Sequence, residues 1–369
     1  MSASSYKLAV LSGDGIGPEV MESAMSVLET VGQEYDLSFE SDSYLVGGSS
    51  IEKHGIPITD EVLEACKDSD AVLLGAVGGP EWDSLPQENK PEKGLLQLRE
   101  ALGLYSNLRP ATIYPSLVDS SSLKPEVIQG SDIMVVRELT GGIYFGKPRG
   151  IDKNEGWNTL RYSRIEVERI AKTAFELARL RDYKVTSVHK ANVLESSQFW
   201  RDVVADVHKN YSDVMLDEMY VDNAAMQLVR DPKQFDVILT QNMFGDILSD
   251  ITAMLTGSLG MLPSASVGEK YALYEPVHGT APEIAGKNIA NPIAMIASIA
   301  MMLEITCKHP QATQSVNTAI ESVLASGYRT AEVAKPGDKI LSTSEITAKI
   351  IESMKKINKK VDETEFINA

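Results

Sequence analysis

Two aspartates, Asp246 and Asp250 in GDILSD, stand four residues apart, so on a helix both carboxylates point the same way. Like charges side by side repel unless something cationic lies between them, and a hard divalent ion bound by carboxylate oxygens fits. Acidic pairs at this spacing also occur on plain solvated faces, so the pair gains meaning from its company. Three arginines stand in apolar contexts: Arg99 in GLLQLR, Arg109 in NLRP and Arg137 at the end of DIMVVR. Planar guanidinium groups grip carboxylates with two parallel hydrogen bonds, so three converging would suit a dicarboxylate. Lys190 in HKAN is a base once its pKa is lowered, and Tyr144 in TGGIYFG is a proton donor. A third aspartate, Asp222, ends the strand-like run DEMYV. Each has a bland reading too: a helix-face arginine, a packed tyrosine, an exposed strand end.

The elements that must position these groups alternate β-branched runs with helical stretches, the pattern of an α/β protein. YKLAVL, DAVLLGAVGG, DIMVVREL, YKVTSVHK, VMLDEMYV and FDVILTQN read as strands. Periodicity predicts helices over Glu19–Glu34, Ile165–Leu180, Ser196–Asn210, Phe244–Thr256, Pro292–Cys307 and Ser344–Asn358. GDGIGP offers Pro18 where a G-x-G-x-x-G dinucleotide fingerprint needs glycine, so it reads as a strand-to-helix turn needing positive φ, not a phosphate cradle. Arg109 precedes Pro110, which suggests an extended bend and a crossing between lobes. Only MSASS and the polar tail after Met354 read as unlike ordered structure.

The 369 residues favour two domains or one large one, and 43% apolar content supplies a core. A net charge of −17 argues against nucleic acid or an anionic membrane surface, so an anionic ligand needs a locally positive pocket. Cys66 and Cys307 have no metal-ligand spacing and fit a reducing compartment. The apolar run Ile293–Leu303 is too short to span a bilayer. HGTAPEIAGKNIANP is a Gly- and Pro-punctuated loop of the kind that binds ligands, with His278 and Glu283 placed for a base and a ribose.

Taken together, SGDGIGPEV, AVGGPEWD, GLLQLR, NLRP, VVRELTGGIYFG, SVHKANVLE, YVDNAAMQL, QNMFGDILSD and HGTAPEIAGKNIANP resemble the isocitrate/isopropylmalate dehydrogenase family, in order and over nearly the whole chain. The resemblance implies a two-lobed α/β fold with a mixed sheet flanked by helices, not a Rossmann fold. Residues 1–106 with 257–369 would form the cofactor lobe, and 107–256 the dimerisation, substrate and metal lobe. It implies a cytoplasmic enzyme of leucine biosynthesis that oxidises and decarboxylates 3-isopropylmalate to 4-methyl-2-oxopentanoate with NAD and Mg²⁺ or Mn²⁺. Related enzymes acting on tartrate, malate or homoisocitrate are the alternative, and a two-lobed anion-binding protein is the rival from outside catalysis.

On the same ground Lys190 and Tyr144 would be catalytic, Arg99, Arg109, Arg137 and Asp222 would hold substrate, and Leu95 and Leu96 would meet the isopropyl group. Asp222, Asp246 and Asp250 would bind metal. Glu92, His278, Gly279, Thr280, Ala281, Glu283, Ile284 and Asn291 would bind NAD. A homodimer is implied, with Lys190 and Asp222 crossing into the other subunit's site. Isocitrate-type relatives carry Ser and Asn near Leu95 and Leu96, and NADP-using ones carry Lys and Tyr at Glu283 and Ile284. Family members commonly have Asp at Glu283 and Gly at Asn288. The longer glutamate keeps the charge but shifts its oxygens.

Overall fold

The computed structural model describes residues 4–368, with side chains described through 358. The first stretch runs β1 (Ser4–Gly13), α1 (Gly17–Tyr35), β2 (Leu37–Ser43), α2 (Gly48–His54), α3 (Asp60–Lys67), β3 (Ala71–Ala76) and α4 (Pro91–Ala101). The middle runs β4 (Ser106–Thr112), α5 (Pro125–Ile128), β5 (Asp132–Glu138), the small hairpin β6 (Gly150–Ile151) and β7 (Gly156–Trp157), α6 (Arg164–Arg179), β8 (Lys184–His189), α7 (Glu195–His208), β9 (Met215–Tyr220), α8 (Val221–Arg230), β10 (Val237–Thr240) and α9 (Asn242–Leu255). The chain closes with β11 (Pro263–Val267), β12 (Ala272–Pro276), α10 (Ile293–Ile305), α11 (Pro310–Ala325), the paired β13 (Tyr328–Arg329) and β14 (Lys339–Ile340), and α12 (Thr343–Asn368).

One ten-stranded sheet takes the order β2-β1-β3-β12-β11-β4-β5-β10-β8-β9. Strands from both chain ends build one side and strands from the middle build the other. The outer ladders are parallel, and the three at the centre, β12–β11, β11–β4 and β4–β5, are antiparallel. Helices cover both faces, as buried parallel strands require. α10 is apolar nearly all round and buried, with Ile293, Met295, Ile296, Ile299 and Leu303 in the core. Among the described residues no helix is long and apolar enough to cross a membrane.

The GDGIGP turn is a strand-to-helix turn. Gly13 and Gly15 have φ of +73° and +57°, and a Cβ on Gly13 would lie 1.8 Å from the Ala76 carbonyl oxygen. Pro18 sits in the first turn of α1, where its missing N–H costs nothing. α6 opens with a reciprocal cap in which the Ser163 side chain accepts from the Glu166 N–H and Glu166 accepts from Ser163.

Three local expectations are corrected. Arg109 lies inside β4, not at a bend. Pro110 is tolerated because the ladder to β11 stops at Leu108, so its missing N–H breaks no bond on that side. Asp222 does not end a strand: β9 stops at Tyr220 and Asp222 is in the first turn of α8. The tail after Met354 continues as α12 to Asn368. Of MSASS, Ser4 and Ser5 open β1, and residues 1–3 lie outside the described residues.

Candidate active site

The strand register places the arginines. In the β4–β5 pair Asn107 lies opposite Arg137, and Arg109 is two residues beyond Asn107, so all three side chains leave one face of the sheet. α9 lies over that face and turns Asp246 toward them. Arg109 donates through Nε to Asn107 Oδ1 (2.6 Å) and through Nη1 to Ser249 Oγ (2.6 Å). The same Nη1 stands 3.7 Å from Asp246 Oδ1 and 4.0 Å from Asp250 Oδ1. Arg137 donates to Asp246 Oδ1 and, through Nε (3.2 Å) and Nη2 (2.9 Å), to Asn242 Oδ1. Arg99, from α4, donates to Glu275 Oε1 on β12 at 2.6 Å, which leaves its buried Nε without a protein partner. Far from lying on a solvated face, Arg99 is 7% exposed.

Arg99, Arg109, Arg137, Asp246 and Glu275 line one cleft of about 610 Å³ together with Tyr144, Leu95, Leu96, Glu92, His278 and Gly279. Three buried guanidinium groups, with Arg149 also lining the cleft, make it locally positive on an acidic chain. Burial pushes the Arg109 pKa down to about 9, with Arg137 adding and Asp246 opposing, so it is still charged at neutral pH. Burial alone would raise the Asp246 pKa, but Arg137 and Arg109 bring it below the ordinary value. Tyr144 donates to Asp246 Oδ2 at 2.9 Å, and its pKa is pushed up to about 12 by burial and then by that carboxylate. It therefore holds its proton at neutral pH.

The metal expectation can be tested against the donors present. Asp250 shares the helix face of Asp246, and its nearest cation is Arg109 at 4.0 Å, with Arg137 adding a weaker offset. Burial and Asp246 raise its pKa. A hard cation against these two carboxylates would fit the donor chemistry. Within one chain, no group of three acidic, His or Cys side chains among the described residues could hold a metal. Asp222, the third expected ligand, is ion-paired with Lys190 instead, and neither residue lines the cleft.

A second cavity of about 370 Å³ adjoins the first through His278 and Gly279 and is lined by Ala281, Ile284, Asn291 and Glu332 among others. The buried Nε2 of His278 has no protein partner. This polar and apolar mix fits a nucleotide cofactor. Thr280 is buried, and its carbonyl accepts from the Ile16 N–H at 2.8 Å, so it braces the loop against the first turn of the chain. Glu283 is exposed and lines neither cavity. Asn288 has φ of +58°, a conformation Asn tolerates. Its side chain bridges to Ser344 through two 3.0 Å hydrogen bonds.

Sequence reasoning missed Asn242, Glu275 and Glu332. Asn242 was within reach: it precedes Asp246 by four residues and extends the same helical stripe. The other two sit in segments without periodic pattern.

His189, 1% exposed beside Lys190, accepts from the Ala191 N–H through Nδ1 at 3.3 Å. Burial pushes its pKa down to about 4, and Arg201 adds to the shift. The folded chain keeps the ring neutral, whereas the unfolded chain charges it below about pH 6.5. Stability is thus untouched above that value and falls as pH drops from it toward about 4. His189→Gln is expected to flatten this acid loss by up to about 3 kcal/mol. The check is thermal unfolding of both proteins at neutral and acid pH; parallel losses would clear His189 of acid sensitivity.

A family model described as isocitrate/isopropylmalate dehydrogenase matches residues 7–350. A protein of Chlorobium chlorochromatii (strain CaD3) named 3-isopropylmalate dehydrogenase is 59% identical over 350 residues, covering 95% of this chain and 99% of its own. One of the same name from Aquifex aeolicus (strain VF5) is 54% identical, covering 95% and 98%. The crystal structure of isocitrate dehydrogenase from Methylococcus capsulatus matches with a TM-score of 0.84 at 34% identity, over 95% of this chain and 99% of that one. With a family model matching residues 7–350 and relatives 54–59% identical over nearly their whole length, the chain belongs to the isocitrate/isopropylmalate dehydrogenase family.

Proposed function

We propose that the protein catalyses NAD-dependent oxidative decarboxylation of 3-isopropylmalate to 4-methyl-2-oxopentanoate, the step of leucine biosynthesis that its highly similar relatives are named for. One observation carries the reading: three buried arginines meet a proton-holding tyrosine in a cleft walled by a leucine pair. Arg99, Arg109 and Arg137 hold and orient the two carboxylates. Lys190 takes the hydroxyl proton, and Tyr144 returns a proton to the carbon left electron-rich when CO₂ departs. Leu95 and Leu96 receive the isopropyl group and keep water from it. When bound, NAD accepts the hydride, and Mg²⁺ or Mn²⁺ polarises the new carbonyl as a Lewis acid. Asp246 and Asp250 would hold the ion, and the second cavity, with Glu92, Glu283 and the 278–291 loop, would hold NAD.

The working unit is a homodimer with shared sites. α8 and α9 pack side by side and leave Met226, Val229, Ile247 and Met254 at least 47% exposed. Asp222, Met226 and Val229 recur at helical spacing on one stripe of α8, and Asp250 and Met254 do so on α9. A second copy covering that apolar face would carry its own Asp222 and Lys190 toward Asp246 and Asp250. The lobes 1–106 with 257–369, and 107–256, would close over substrate between them.

The test is NADH absorbance with purified protein, isopropylmalate and Mg²⁺, run beside malate, tartrate and homoisocitrate and beside NADP. Isopropylmalate with NAD is expected to give the highest kcat/KM. No turnover across metals and pH would favour the anion-binding reading. Leu96→Ala is expected to narrow the preference for isopropylmalate over malate by ~1–3 kcal/mol. An unchanged ratio would remove Leu96 from substrate choice.

A further inference from the structure

Asn242 opens α9 one and two turns before Asp246 and Asp250, on the same face. It is fully buried, and every hydrogen-bonding position of its amide is used. Oδ1 accepts twice from Arg137, through Nε and Nη2, at 3.2 and 2.9 Å. Nδ2 donates to the carbonyls of Leu139 (2.9 Å) and Gly141 (3.1 Å), in the turn that leads to Tyr144. The N–H groups of that turn are held from the other side. Glu138, also fully buried, accepts from the Thr140 N–H (3.0 Å) and the Gly141 N–H (2.8 Å). Tyr162 closes the arrangement: its hydroxyl accepts from the Asn242 N–H at 2.9 Å, and a Cβ on Gly142 would lie 2.3 Å from it. Neither Asn242 nor Glu138 lines the cleft.

We propose that Asn242 is a positioning residue that locks the substrate-gripping Arg137 to the turn carrying Tyr144, with Glu138 holding that turn from its opposite side. The inference rests on the roles proposed above for Arg137 and Tyr144. A guanidinium fork whose inner nitrogens are already bound cannot rotate away from its ligand. A turn whose carbonyls and N–H groups are both claimed has little slack. One amide therefore sets the distance between the group that binds and the group that delivers a proton, and a misplacement of ~1 Å there costs on the order of 10²-fold in rate.

Two substitutions separate the parts. Asn242→Asp keeps acceptors toward Arg137 but sets lone pairs against the two carbonyls. Glu138→Gln keeps size and one acceptor but turns an NH₂ group on a backbone N–H, and it leaves α9 intact should the first variant fail to fold. Hydrogen exchange of the whole protein, without substrate, is expected to be slow at Thr140 and Gly141 in the parent chain. It is expected to be faster there in both variants, while α9 stays protected. With isopropylmalate, kcat should fall roughly 10- to 100-fold while KM moves by less than about threefold. In a Tyr144→Phe background, Glu138→Gln should lower kcat no further. Unchanged exchange at Thr140 and Gly141, or losses that multiply with Tyr144→Phe, would overturn the proposal. A parent chain that binds isopropylmalate without turning it over would defeat the proposed function instead, and exchange would still judge the clamp.

Discussion

Lys190→Met is expected to cost ~10²–10⁴-fold in kcat while isopropylmalate still binds. Lys190 follows β8 and is ion-paired with Asp222. Methionine keeps the length of the stem and removes only the charged head, so the fold loses little. What disappears is the group proposed above to take the hydroxyl proton as hydride leaves. The arginines proposed to grip the carboxylates belong to other elements, so calorimetric substrate affinity should stay within a few-fold of the parent. A variant with near-normal kcat would strike Lys190 from the mechanism.

The second large effect is recovery of activity from two nearly inactive proteins. Asp246→Asn and Lys190→Met should each leave at most about 1% of turnover alone. If sites are shared, a mixed dimer has one site with an intact Asp246 from one subunit and an intact Lys190 from its mate. Its other site carries both lesions. In a C₂ dimer randomly reassembled from equal amounts, half the dimers are mixed, so about a quarter of all sites regain function. Denaturing and refolding the two variants together, against each alone, gives the comparison. No recovery after verified subunit exchange would place each site within a single chain and remove the reason for Asp222 and Lys190 to act at a distance from Asp246.

The sequence carried much of this arrangement because the chemistry lies in short motifs. Asp246 and Asp250 were readable as one helix face, and Arg137 as an arginine trapped behind apolar strand residues. Other features depended on long-range pairing. β4 was hidden by Pro110, which is acceptable only because β11 ends beside it. β11 and β12, PSASV and ALYEP, have neither strong alternation nor β-branched runs, and they become strands by filling the gap between β3 and β4. Glu275 rides on β12, so its bond to Arg99 was invisible for the same reason. Asp222 looked like a strand end because β9 passes into α8 without a loop, and the amphipathic period begins one residue sooner than the strand pattern suggests.

The interleaved strand order bears on how the chain is made. β3 waits for β12, and β4 waits for β11, both of which lie more than 150 residues downstream. A ribosome therefore releases β1, β2 and β3 and their helices long before β12, the other neighbour of β3, exists. Meanwhile the central segment can pair β5, β10, β8 and β9 from its own residues. Until residue 276 emerges, the fully apolar edge of β3 stands open. That interval during synthesis is when the nascent chain is most exposed to aggregation and has most use for a chaperone.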